Sequence, residues 1–287
     1  MDATPLSRRD WMSSAVALGV STLALAARPL SLLNGQELVL NSRGGYRFLP
    51  GLPFLSFGAR AADGFEIARA TFQRLRPFSQ GIADIERVLR AAGRPIHALC
   101  GLELRSERQV SGAEFSSFNR YYLERIGQAG LLVGDQAPMV RTNVAVAGVH
   151  EHSIHAFCYT VPAASRQPVA APTFVLAAVP EVRNITTQPE VVAAGDTTLE
   201  GLRLKTEFVL ATLDGTMKVL GAQWAEVTGI QLYTIHDLQP LLADLILPRV
   251  GTGGRRGIEW HYASPPVLGG ALEIDVRGTR LELLADA

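Results

Sequence analysis

VRTNVAVAGVHEHSIHAFCYTVPA, residues 140–163, is the stretch that decides the fold of this chain. Val144 and Val146 alternate with small or polar residues. Beyond a polar turn, Ile154, Phe157 and Tyr159 bring the β-branched and aromatic bulk of a second strand. Two such runs predict a hairpin, with Arg141 opening its first strand just after Pro138. A guanidinium delivered from a strand end suits a substrate carboxylate, because its planar fork matches two oxygens at once. On a hairpin, His155 returns along the paired strand to stand beside that clamp. By themselves the two residues are equally those of a surface Arg and an edge-strand His.

The flanking chain adds weight to the clamp. GIADIERVLRAAG (residues 81–93) places Ile82, Ile85, Val88, Leu89 and Ala92 on one helical face and ends in a glycine suited to a helix C-terminus. The predicted helix runs over 79–92. Ile96, Ala98, Cys100, Leu102 and Leu104 alternate along a strand, which makes Cys100 a buried small hydrophobe. A second helix over 113–128 turns Phe115, Phe118, Tyr122 and Ile126 to the core.

The ordered set VLRAAG (88–93), FNRYY (118–122), P-x-x-R-T-N-V (138–144) and the strand 153–161 resembles the RidA/YjgF family of enamine/imine deaminases. The likeness covers residues 45–163. It implies an α+β domain, a sheet covered on one face by two helices, and a pocket lined by Phe57, Gly58 and Asn119. Phe57 departs from the small hydroxyl residue often found in that family position. It narrows the pocket or offers a wall for a planar, conjugated substrate.

Residues 164–172, ASRQPVAAP, read as a linker, and the order of elements then repeats. Gly195 ends an apolar run and occupies the pocket position of the second copy. A long helix over 199–220 carries Leu202, Thr206, Val209, Leu213 and Leu220 at helical spacing. A strand over 226–235, a Leu-rich helix over 238–247, and an Arg-led hairpin from Arg255–Arg256 to Val276–Arg277 follow. The expectation is a tandem of two RidA-like domains, 45–163 and 173–287. Chain features in both halves are similar to the long, two-domain members grouped with the 2-aminomuconate and 2-amino-5-chloromuconate deaminases. Their enamine dicarboxylates would suit two Arg clamps and an aromatic wall.

The resemblance implies its own chemistry. Arg256 and Glu273 form the site of the second copy, Arg141 and His155 that of the first. Arg holds the carboxylate of an enamine or imine acid, Glu activates water at the imine carbon, and ammonia leaves a 2-oxo acid without metal or cofactor. His155 stands where the acid is expected, either as an acid/base near neutral pH or in a copy without activity. Pairing of Glu273 with Arg277 on a solvated face is the plain structural alternative. Domain packing in the family further implies a homo-oligomer, a trimer-like ring of domains.

The rest of the sequence bounds the possibilities. Residues 1–26 hold Ser7-Arg8-Arg9-Asp10-Trp11-Met12, an apolar run, and Ala24-Leu25-Ala26, a pattern similar to a twin-arginine signal peptide. Periplasmic or secreted residence follows, without a stable membrane anchor, and 27–44 become a connector. At 287 residues and 47% hydrophobic there is apolar material for two cores. Formal net charge is zero, which argues against nucleic acid as partner. Two cysteines are too few for a disulfide framework and are expected as thiols. His150, His152 and His155 fall in and beside a turn, with no completing ligand pattern, so no metal is expected. The alternative to catalysis is a binding module for a small carboxylate.

Overall fold

The computed structural model describes residues 36–163, 171–183 and 190–286. The expected signal segment 1–26 and most of the expected linker 164–172 lie outside these. Among the described residues no helix is long and apolar enough to cross a membrane.

In chain order the first half comprises β1 (Val39–Asn41), β2 (Tyr46–Leu52), β3 (Leu55–Ala61), β4 (Phe65–Pro77), α1 (Phe78–Ala91), β5 (Leu99–Ser106), α2 (Gly112–Gln128), β6 (Val140–Ala145) and β7 (Ser153–Pro162). The second comprises β8 (Phe174–Leu176), β9 (Val179–Pro180), β10 (Val182–Arg183), β11 (Glu190–Val191), α3 (Leu199–Leu220), β12 (Gly229–Thr234), β13 (Glu259–His261), β14 (Leu272–Gly278) and β15 (Leu281–Ala285). The fold class is α+β.

Local chemistry accounts for the helix ends. Ser111 and Glu114 close a reciprocal capping box at the start of α2. Thr198 caps α3, and Gly221, at φ 69°, ends it in the left-handed conformation that a residue with a Cβ resists. The expected helix over 238–247 is irregular. A three-residue α turn passes into a π turn at Leu242–Ile246 before helix resumes at Leu247. Pro248 has no N–H to offer the carbonyl four residues back, so the ordinary ladder fails there. The expected strand at 96–104 also begins late. Ile96–Ala98 form a 3-10 turn after Pro95, and a bulge at Leu99/Gly101 turns Cys100 away from the helices.

The two separate sheets expected from the tandem reading are corrected to one. Thirteen strands form a single curled sheet with main order β13-β12-β14-β8-β3-β6-β5-β7-β4-β15. β8 explains the fusion, since it pairs with β3 of the first half and β14 of the second. β15, the end of the chain, returns to pair in parallel with β4. Leu220 of α3 packs so closely on β3 that a Cβ at Gly58 would lie 2.6 Å from it.

The hairpin reading of 140–163 also needs correction. β6 and β7 are not neighbours: β5 lies between them, parallel to β6 and antiparallel to β7. The second half repeats this arrangement, with β12 parallel to β13 and antiparallel to β14.

Each face of the sheet has one character. Leu102, Leu104, Phe157 and Tyr159 pack with Ile85 and Leu89 of α1 and Phe118, Tyr122 and Ile126 of α2. Ile230, Leu232, Ile274 and Val276 pack with Leu202, Val209, Leu213 and Leu220 of α3. Each such Leu or Ile stabilises by roughly 1.5–3 kcal/mol through removal from water. The alternating positions of β5, β12 and β14 carry Glu103, Arg105, Gln231, Tyr233, Glu273, Asp275 and Arg277, all buried. Curling turns these polar faces toward one another, and Thr142 of β6 donates to Asp275 of β14 at 2.6 Å.

Candidate active site

Arg141, the second residue of β6, is 3% exposed. One guanidinium nitrogen, Nη2, donates to Oδ1 of Asn119 on α2 at 2.7 Å. Its Cζ lies 4.9 Å from the ring centre of Phe54, 5.7 Å from Phe115, 5.8 Å from Phe118 and 4.8 Å from Tyr122. Aromatic faces tolerate a cation but do not neutralise it. The other nitrogen, Nη1, is buried without a hydrogen-bond partner among the described residues. Burial lowers the guanidinium to about 10, against weaker opposition from Tyr122 and Glu273. His152 stacks on Phe118 at 3.9 Å and closes this aromatic box.

Glu273, in the other half of the chain, acts on Arg141 through its charge alone, with no ion pair between them among the described residues. It lies in the middle of β14, paired with Tyr233 of β12 on one side and Pro180 of β9 on the other. Asp275, two residues on, is the post that sets this strand. Its Oδ2 accepts from Thr142 and, at 3.2 Å, from the Tyr233 hydroxyl, and its Oδ1 accepts from Gln231 at 2.9 Å. Thr142 follows Arg141 directly and faces the other way, toward Asp275, while the Arg141 guanidinium points to the rings of α2. Burial, then the charges of Glu181 and Asp275, push the Glu273 carboxyl well above the usual carboxylate range, while Arg141 pulls the other way. Glu273 therefore holds its proton more tightly than an exposed carboxyl does.

A second polar group occupies the curl below. Glu103 accepts both arms of Arg69, at 2.5 and 2.9 Å. Burial pushes Glu103 up, but the Arg69 charge and hydrogen bonds prevail and hold it well below the carboxylate range. Arg277 pairs with Glu282 at 2.7 Å and with Glu259 at 3.4 Å, which removes it as a partner for Glu273. The charges of this group are paired, unlike that of Arg141, although Arg105 Nη2 and Arg277 Nη1 are likewise buried without a hydrogen-bond partner among the described residues.

The structure redistributes the residues singled out in the sequence. Asn119 and Arg141 meet, while Glu273 reaches Arg141 only through its charge. His155 does not, because β5 separates it from Arg141; it lies among Arg105, Glu103, Arg69 and His261. Burial, followed by the Arg105 charge, pushes its imidazole down to about 4. Arg256 lies exposed at the end of a 3-10 turn, Gly251–Arg256, outside the charges that act on buried Glu273. Phe57 packs on the second-half core and Gly58 is the contact for Leu220, so both serve packing. Gly195, φ 74°, is a turn glycine before α3 with open space where a Cβ would stand.

Asp275, Tyr233, Thr142, Glu181 and the box residue Phe54 were not singled out by sequence reasoning. Only Asp275 had a legible signal, its alternation with Glu273 in L-E-I-D. Cys100 and Cys158 are buried free thiols. No metal-holding group of three or more His, Cys, Asp or Glu occurs among the described residues. Two shallow surface grooves, one against α3 and one along β15, touch neither Arg141 nor Glu273.

A buried cation boxed by rings, with one nitrogen unpartnered, is a constellation that can bind a small carboxylate. The chain is a member of the 2-aminomuconate deaminase CnbZ family, whose model matches residues 38–283. It is similar to a 2-amino-5-chloromuconate deaminase of Comamonas testosteroni, with 37% identity over 84% of this chain and 96% of that protein. Among solved structures it resembles a chorismatase, with a TM-score of 0.41 and 14% identity over 78% of this chain and 77% of that one.

Proposed function

We propose that the chain hydrolyses 2-aminomuconate-like enamine dicarboxylates to the 2-oxo acid and ammonia, at one composite site built from Arg141 and Glu273. The observation that carries this reading is a buried guanidinium, boxed by rings, with one nitrogen that has no hydrogen-bond partner among the described residues. Arg141 holds a substrate carboxylate through the nitrogen that protein leaves unpartnered. Phe54, Phe115 and Tyr122 wall a flat, conjugated carbon chain. Glu273 gives its proton to the enamine carbon, so that the C=C electrons form that C–H bond and the nitrogen becomes an iminium. Water then adds to the iminium carbon and Glu273, now a carboxylate, takes the water's proton. The carbinolamine nitrogen accepts that proton back, the C–N bond breaks with its electrons leaving on ammonia, and the hydroxyl proton returns to Glu273 as C=O forms. Enamine and water go in; 2-oxo acid and ammonia come out.

One site per chain follows from the strands themselves. β7 holds no acid and β13 no Arg, so neither half completes the pair alone. The repeated pairing of β5-β6-β7 and β12-β13-β14 supports duplication of a RidA-like unit whose copies have divided the work. The export reading of residues 1–26 places this activity outside the cytoplasm. Exposed Leu281, Leu283 and Leu284 on edge strand β15 favour a homo-oligomer. Purified chain given 2-aminomuconate and 2-amino-5-chloromuconate should release ammonia and 2-oxo acid in equal amounts. Tight binding of either compound without ammonia release would make the chain a binding module instead.

A further inference from the structure

A buried ion pair stands behind Glu273 and has no part in holding the substrate. Glu181, 0% exposed, follows Pro180, the residue paired with Glu273 across β9 and β14. Its Oε1 accepts the backbone N–H of Ala271 at 2.5 Å and its Oε2 that of Leu272 at 3.4 Å. Lys205 of α3, 1% exposed, lies 3.6 Å from the same carboxylate and donates to the Val192 carbonyl at 2.7 Å. A buried pair of this kind gives little net stability, since the desolvation of two ions consumes most of their attraction. Apart from Thr206 and Thr216, which bond back to their own helix, the buried face of α3 is otherwise apolar, and a Leu/Met pair would fill the space without that cost.

We infer that Glu181, held by Lys205, is a positioning residue for the acid of the reaction: it fixes the start of β14 and sets the proton of Glu273. The inference rests on the proposed deaminase site. Glu181 grips the two N–H groups just before Glu273, so the acid's place on β14 depends on it. Its negative charge, beside the strand pair of Pro180 and Glu273, favours the protonated acid, as a like charge does. The other groups facing Glu273 are Asp275 on its own strand, Tyr233 on β12 and Arg141 on β6. Lys205 reaches it only through Glu181. Arg141 alone would pull the proton off; Glu181 and Asp275 oppose that pull.

The test is the pH profile of kcat/KM for ammonia release from 2-aminomuconate by the full chain. Glu273 works protonated, so activity falls on the alkaline side as that proton is lost. In Glu181→Gln the amide oxygen still accepts the Ala271 N–H, but the charge is gone. The alkaline limb should move down by about one pH unit or more, with KM at the acid plateau changed less than about threefold (~0.6 kcal/mol). Glu181→Asp keeps the charge and should hold the limb near its parent position. Lys205→Gln, which removes the counter-charge, should move the limb in either direction and serves if Glu181→Gln does not fold. A limb unmoved in every folded variant, with Glu273→Gln inactive, overturns this inference and leaves the site reading intact. A fully active Glu273→Gln overturns the site reading itself.

Discussion

Arg141→Met separates catalysis from stability most cleanly. In the parent, the guanidinium donates to Asn119 and keeps Nη1 free for a substrate carboxylate. Two charge-assisted bonds to that carboxylate amount to about 3–6 kcal/mol. Their loss should lower kcat/KM by ~10²- to 10⁴-fold. Stability should respond very differently. The guanidinium, lowered by burial to about 10 from a usual value above 12, carries a desolvation cost of about 3 kcal/mol below pH 10. Met removes that cost and fills the aromatic box. It forfeits the Asn119 bond, about 1.5–3 kcal/mol, and ring attraction of about 1–2 kcal/mol. These terms nearly cancel, so the unfolding free energy should change by no more than about 2 kcal/mol. Ammonia release and a urea melt on the same preparation measure both. A variant that keeps kcat/KM within tenfold of the parent, or loses activity only in step with unfolding, would refute the assignment of Arg141 as the carboxylate clamp.

Other outcomes follow from the same geometry. Glu273→Gln should still bind a muconate dicarboxylate, measured by calorimetry, yet lose turnover by at least ~10³-fold, since the amide has no proton to give; turnover at the parent rate would end the acid assignment. Arg256→Ala, on an exposed turn, should leave kcat/KM within about twofold and the melt within about 0.5 kcal/mol; a large kinetic loss would restore the site first expected around it. His155 titrates near 4 when folded, below its unfolded value. Its contribution to stability is therefore present above about pH 6.5 and lost as pH falls toward 4. His155→Gln should flatten that acid slope in denaturant melts between pH 7 and 4 and keep turnover at pH 7 within a few-fold. An unchanged slope would show that the imidazole is not the group being forced to charge.

The sequence by itself determined what depends on neighbours along the chain. α3 runs over 199–220, as its spacing predicted, because Thr198 and Gly221 supply the two ends that a helix cannot satisfy alone. α1 and α2 begin within one residue of their predicted starts, α2 behind the Ser111 cap and α1 behind Pro77 without a side-chain cap. The L-E-I-D run marked Glu273 as a candidate acid; Asp275 beside it was legible in the same alternation but was not singled out. Asn119, Arg141 and Glu273 were each visible as residues with something to do. Which of them meet was decided by tertiary structure alone. A period of two tells a strand which way its side chains face, but not which strand lies beside it. Two consecutive strands with a polar turn look like a hairpin, yet β5 has entered between β6 and β7 and carried His155 away from Arg141. β8 has stitched the two halves into one sheet, and Thr142 has reached Asp275 across its curl. Those are contacts between residues more than a hundred positions apart. Their free energy comes from burying two strand faces together, a quantity no local pattern contains.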